Sequence, residues 1–554
     1  MRHYAALRSA VCISRTGGKL KIRSLGVTAV AVAVASALAL SGCAGESAPA
    51  ESSDSSAIIT ANGSEPQNPL IPTNTNEVGG GKILDSIFAG LVYYDVDGKP
   101  INEVAESIET DDATTFTIKI KPDLTFTNGD PVDSESFVKA WNYGALASNA
   151  QLSSYFFEDI EGFSYDEDTE LTGLKVVDDT TFTVTLNKAA SDFPLRLGYS
   201  AFFPLPASAW DDIEAYGQNP IGNGPYKLDG EGAWKHNEKI DLVKNEDYKG
   251  GRVAQNGGLS IVFYLDQTAA YSDLLANNLD VLDAIPDSAY STFESDLGDR
   301  AINQAAAVFQ SFTIPERLEH FGGEEGKLRR QAISMAINRD EITEVIFEGT
   351  RTPATDFTSP VIAGHSDSLK GAEVLEFNEK EAQKLWAEAD KISPWTGTFS
   401  IAYNADGGHQ GWVDAVSNSI KNVLGIDAAG APYPTFKEAR TLITDRTITT
   451  AFRTGWQADY PGLFNFLGPL YATNAGSNDG DYSNPEFDKL LASGASETDI
   501  DAANADFQAA QEILLEDLPA TPLWYANVTG GFGESVSNVQ FGWNSVPLYY
   551  EITK

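Results

Sequence analysis

Thr450-Ala451-Phe452-Arg453-Thr454-Gly455-Trp456-Gln457-Ala458-Asp459-Tyr460-Pro461 sets two charged residues, Arg453 and Asp459, in a strongly apolar and aromatic run. A glycine beside a tryptophan lets a ligand backbone approach closely while an aromatic wall excludes water. In such a place an unpaired carboxylate favours a cationic guest and a guanidinium an anionic one. A structural salt bridge between the two residues explains the same pattern, and the stretch alone does not separate the readings.

Outward from this stretch, residues 449–453 and 398–403 read as short strands. Helical spacing sets Trp412, Val416, Ile420 and Val423 on one face over residues 410–424, and further helices are predicted over 378–389 and 500–515. Residues 327–348 read as one helical region, with Leu328, Ala332, Met335 and Ala336 on a stripe and Asp340 capping its continuation. Nearer the start, strict alternation predicts strands over 115–121 (Phe116, Ile118, Ile120 inward) and 181–187 (Phe182, Val184, Leu186 inward). Between them Phe137, Ala140 and Trp141 recur at helical spacing after the Gly129-Asp130-Pro131 turn. The elements alternate too irregularly for one doubly wound sheet. A mixed α/β body of two or three domains is expected, since about 500 residues exceed what one core supports.

The first 42 residues read as a signal peptide. Arg2, Arg8, Arg15, Lys19, Lys21 and Arg23 precede an apolar run that ends in Leu40-Ser41-Gly42-Cys43, the pattern of a bacterial lipoprotein signal. Cys43 is then the lipidated first residue of the mature chain, and residues 43–56, poor in large apolar groups, form a flexible tether. The only other cysteine, Cys12, lies in the leader, so the mature body has no disulfide or thiol nucleophile. Loss of the leader deepens the formal net charge from −41 to −47, which opposes binding to nucleic acid.

Common catalytic arrangements are missing. The chain has no G-x-S-x-G elbow, no phosphate-binding glycine loop and no H-E-x-x-H, and Gly364-His365-Ser366-Asp367 lacks a second glycine. His236, His320, His365 and His409 are scattered without metal-ligand spacing, so neither a metal nor a cofactor is expected. No enzyme activity is expected either.

Four spaced motifs occur in order: Thr115-Phe116-Thr117-Ile118 through Phe126-Thr127-Asn128-Gly129-Asp130-Pro131-Val132; Pro220-Ile221-Gly222-Asn223-Gly224-Pro225-Tyr226; Leu328-Arg329-Arg330-Gln331-Ala332-Ile333 through Ile337-Asn338-Arg339-Asp340; and Trp456-Gln457-Ala458-Asp459-Tyr460-Pro461. Together they resemble extracellular solute-binding proteins of family 5, the receptors of peptide and nickel ABC importers, most closely the oligopeptide-binding branch. The resemblance implies a two-lobed periplasmic-binding-protein-like α/β fold (type II, cluster C) with three domains. Domain I would comprise residues 57–88, 207–305 and 523–554, domain II 89–206 and domain III 306–522.

By the same resemblance, Asp459 pairs with a peptide α-ammonium and Arg453 contributes to the charge around the peptide backbone and carboxylate. Gly455 and Trp456 make main-chain contacts, and His409 meets the carboxylate end of longer peptides. Asn76 to Val78 pair with the peptide main chain, although Gly79-Gly80-Gly81 replaces more typical residues there. No counterpart is found for a lysine that the family uses for some peptide lengths.

The expected function is therefore an extracytoplasmic, monomeric receptor anchored through Cys43 to the outer face of the cell membrane. It would deliver oligopeptides or dipeptides to an ABC permease and ATPase. Within the same fold, an oligosaccharide, nickel chelate or haem is the alternative ligand. From another class, a secreted peptide hydrolase or folding helper is the alternative function.

Overall fold

The computed structural model describes residues 55–75, 77–405, 409–434 and 436–554. The leader and Cys43 lie outside the described residues, as does most of the tether. No helix among the described residues is long and apolar enough to cross a membrane.

Among the described residues one mixed sheet of 12 strands runs through the body. At its middle, two 13-residue strands, Ala301–Thr313 and Ala520–Phe532, pair antiparallel. On one side Ala451–Gln457 pairs antiparallel with Ala301–Thr313, and Thr398–Asn404 and then Asp427–Tyr433 continue in parallel. On the other side Val281–Leu282 leads to Ile58–Gly63, Gly258–Phe263, Lys239–Lys244 and Tyr226–Leu228. The register of the central pair slips between Ala305 and Phe309 and again between Gln310 and Ser311. Such irregularities leave backbone unpaired and bend a strand locally.

Apolar cores flank this central pair. One joins residues 59–263 with residues 528–552, from Ile59 through Phe182 and Ile261 to Ile552. Two others, around Phe357 and Phe466 and around Phe312 and Trp412, draw on residues 307–543. The result is the two-lobed α/β fold expected from the sequence.

The strand-helix-strand module forms as predicted. Ala105–Thr110, Thr115–Ile120, Thr181–Thr185 and Leu174–Asp178 make an antiparallel sheet in that order. Helix Ser134–Ala145, capped by Asp133, lays Phe137 and Trp141 on it, with ring centroids 5.8 and 5.7 Å from Phe182. Phe116, Ile118, Phe182 and Val184 are all buried, as their alternation requires.

The helical region over 327–348 differs from expectation. It is two helices, Gly323–Met335 and Arg339–Val345, and the second is capped by Asn338, whose side chain accepts from the Glu341 N–H, rather than by Asp340. The break follows from Arg339, a buried guanidinium that turns inward to donate to the Pro522, Leu375 and Ser334 carbonyls. Arg329 is likewise buried, bonded to Glu325 and Asp390 and set 4.5 Å over the Trp386 ring. These motif arginines are structural pegs, held by carbonyls, carboxylates and rings. The strand predicted over 449–453 is Ala451–Gln457, reaching into the W-x-A-D-Y stretch.

Candidate ligand-binding cleft

Successive residues of the segment that begins with Ala451–Gln457 line two cavities. Arg453 to Trp456 line the smaller, of about 350 Å³. Gln457, Ala458 and Asp459 line the larger, of about 520 Å³. The larger is walled by segments far apart in the chain, including Val78 and Asp85, Tyr94, Tyr199, Arg252 and Trp543. Its size suits a small peptide rather than a single ion.

Asp459 follows the strand and is half-buried. Its Oδ2 accepts from Asn465 Nδ2 at 3.1 Å, and its backbone N–H donates to Asn465 Oδ1 at 3.1 Å. Trp456 Nε1 donates to the same Oδ1 at 3.0 Å. One buried asparagine on helix Leu463–Tyr471 thus fixes both the indole and the carboxylate. Burial pushes the Asp459 pKa up, and the Asn465 hydrogen bond opposes that rise. No ion pair joins Arg453 to Asp459 among the described residues, so the salt-bridge reading of the stretch is not realised.

The neighbouring Tyr460 anchors this segment to the module around the antiparallel sheet. Its hydroxyl donates to Asp192, whose other oxygen pairs with Arg196 at 3.0 Å, and Arg196 also reaches Asp159 at 2.7 Å. Burial and the Asp192 carboxylate hold the Tyr460 pKa far above its ordinary value.

The other sequence-predicted residues divide between the cavities. Arg453 lies in the smaller one, its Nε donating to Asn404 Oδ1 at 2.8 Å, near the Arg440–Asp479 ion pair. Gly455 is exposed there, and a Cβ on it would sit 3.0 Å from the Phe309 carbonyl oxygen. Val78 opens helix Val78–Ile87 and lines the larger cavity with its side chain 56% exposed. The glycine run beside it forms the first turn of that helix, with the Glu77 carboxylate accepting from the Gly80 N–H at 2.9 Å. His409 precedes helix Gln410–Leu424, accepts from Trp412 Nε1 at 3.1 Å and lines neither cavity. Asn76 lies outside the described residues.

Sequence reasoning missed Asp85, Tyr199, Arg252 and Trp543, which reach the cavity only through the tertiary fold. Asp85 alone left a local signal, as a carboxylate in the apolar run Ile83-Leu84-Asp85-Ser86-Ile87-Phe88.

A two-lobed α/β body with a cavity between distant chain segments defines a solute-binding receptor. The family model for bacterial extracellular solute-binding proteins, family 5 (middle), matches residues 99–478, and the chain belongs to this family, the substrate receptors of ABC importers. The chain is 24% identical over 499 residues to the oligopeptide-binding protein OppA of Bacillus subtilis, covering 85% of this chain and 88% of that protein. Among solved structures, the unliganded open form of the murein tripeptide-binding protein MppA overlays with a TM-score of 0.81 at 22% identity, covering 90% of this chain and 97% of that one. OppA of Haemophilus influenzae in complex with RPPGFSPFR overlays with a TM-score of 0.64 at 23% identity, covering 91% and 99%.

Proposed function

We propose that the protein is a lipid-anchored receptor for short peptides with a free amino terminus, serving an ABC permease and ATPase. The observation that carries this reading is Asp459, a half-buried carboxylate in an aromatic cavity, held by an amide and by no cation among the described residues. A peptide α-ammonium there supplies the missing charge, and the desolvated pair gains a charge-assisted hydrogen bond of about 1.5–3 kcal/mol. The peptide main chain then follows the segment past Trp456 and Gly455, with its carboxylate toward Arg453. Main-chain recognition gives affinity with little side-chain demand. Peptide-binding relatives support the same ligand class.

Ligand contacts to both lobes favour a closed state, with bending at Ala301–Thr313 and Ala520–Phe532. The higher likeness to an unliganded open form than to a peptide complex fits an unclosed receptor. The division of the apolar cores supports a boundary near residue 306, while the separation of domain I (residues 57–88, 207–305 and 523–554) from domain II (residues 89–206) rests on the resemblance alone, since one core spans both. The anchor is Cys43, the tether residues 43–56, and the working form an extracytoplasmic monomer.

Native mass spectrometry of the purified protein, followed by gentle denaturation, tests the ligand class. Release of short peptides is the expected result. A sugar, a nickel chelate or haem would overturn the peptide assignment, and cleaved products accumulating from added peptide would point to a hydrolase.

A further inference from the structure

The larger cavity holds more acid than one ammonium group uses. Glu77, Asp85, Asp95 and Asp459 line it against the cations Lys82 and Arg252. Both cations are matched by carboxylates outside the lining. Lys82 is ion-paired with Asp283, and Arg252 is gripped by Glu103 through Nε at 2.8 Å and Nη2 at 3.0 Å. Two of the four acids are committed to the backbone: Glu77 caps the Val78–Ile87 helix, and Asp95 accepts from the Asp97 and Lys99 N–H groups at 3.1 and 2.8 Å. Asp459 and Asp85 remain.

Asp85 stands half-buried on the Val78–Ile87 helix, in the wall of the cavity. Arg252 Nη1 donates to its backbone carbonyl at 2.5 Å, and no donor bonds its carboxylate among the described residues. Burial raises the pKa of this carboxyl to about 6, Arg252 pulling it down and Glu103 pushing it up. Asp85 and Asp459 both act on the Tyr199 phenol, which burial and then these two carboxylates drive above its ordinary value. Asp85, Asp459 and Tyr199 all line the one cavity.

We propose that Asp85 is a second cation subsite, selecting peptides whose first residue carries a side-chain amine or guanidinium. This rests on the reading of Asp459 as the α-ammonium partner. With the α-amine held there, the side chain that branches from the adjacent carbon enters the same cavity, where, among the described residues, Asp85 is the one other lining acid not bonded to backbone N–H groups. A cationic side chain neutralises Asp85 in its poorly solvated place, and an apolar one leaves that charge buried beside it.

Calorimetric titration of the protein with Lys-Ala-Ala and with norleucine-Ala-Ala isolates the side-chain charge. At pH 7.5 the lysine peptide is expected to bind about tenfold more tightly, the size of one charge-assisted hydrogen bond. At pH 5 Asp85 takes up a proton and the preference shrinks. The groups facing Asp85 are Arg252, Glu103, Tyr94 and Tyr199, and Asp459 serves both peptides, so its own titration cancels in the ratio. In Asp85→Asn the ratio falls to near one at both pH values. Equal binding of both peptides by the wild type, or a preference that persists in Asp85→Asn or is unchanged at pH 5, overturns the subsite and leaves the peptide receptor standing. If neither peptide binds, the peptide reading is overturned and the subsite with it.

Discussion

Asp459 and Asn465 form the smallest unit on which the ligand reading depends. Removing the amide frees the carboxylate and the Trp456 indole together, because both bond to Asn465. Asn465→Ala is therefore expected to weaken peptide binding about fivefold to tenfold, the loss of about one hydrogen bond's worth of positioning, as read by calorimetry. Unchanged affinity would show that Asp459 needs no such support. Asp85 makes a separate prediction about stability. Its folded pKa stands at about 6 against an ordinary 3.8, so the folded protein holds this proton more tightly than the unfolded chain. Stability is then highest below pH 3.8 as far as this group is concerned, and falls as pH rises through 6. Asp85→Asn removes that cost, which gives up to about 3 kcal/mol at pH 7.5 and about 0.5 kcal/mol at pH 4. Urea unfolding at the two pH values checks it, and an equal or lower stability of the variant at pH 7.5 contradicts the burial argument.

At the scale of elements, the Pro220 to Tyr226 motif explains itself by close approach. A Cβ on Gly222 would lie 1.9 Å from the Ile87 carbonyl oxygen, at the end of the helix that carries Asp85, while Asn223 bonds both backbone groups of Ala89. Gly222→Ala must push the Val78–Ile87 helix away and is expected to cost about 1–3 kcal/mol in chemical denaturation. A loss below a few tenths would mean that the two segments separate freely. Elements with a clear period were legible in the sequence: the Trp412 helix matches residue for residue, and the two alternating strands lie where Phe116 and Phe182 put them. Asp459 and Trp456 were legible because one contiguous stretch carries both. The break between Met335 and Arg339 was not, since it depends on carbonyls supplied by Pro522 and Leu375 far along the chain. Nor was the meeting of Asp85 and Asp459 in one cavity, which is walled by segments far apart in the chain. The single sheet running through both lobes was equally hidden, because Ala301–Thr313 and Ala520–Phe532 find each other across more than 200 residues.

At the scale of the whole molecule, the account requires a body that closes on peptide and a mature chain that begins at a lipidated Cys43. Small-angle scattering is expected to show a smaller radius of gyration when Ala-Ala-Ala is added, and no change at saturation would rule out lobe closure. Cys43→Ser is expected to move the protein from the membrane fraction to the soluble fraction, because two or more acyl chains are what hold such a body at a bilayer. Retention of the variant on membranes would place the anchor elsewhere. The central claim, that Asp459 receives a peptide amino terminus, is tested most directly by titrating Ala-Ala-Ala and N-acetyl-Ala-Ala-Ala into the wild type and Asp459→Asn. The account predicts that the wild type prefers the free amine by about 10- to 100-fold and that Asp459→Asn loses that preference. Equal binding of the two peptides by the wild type, or an undiminished preference in the variant, would contradict it.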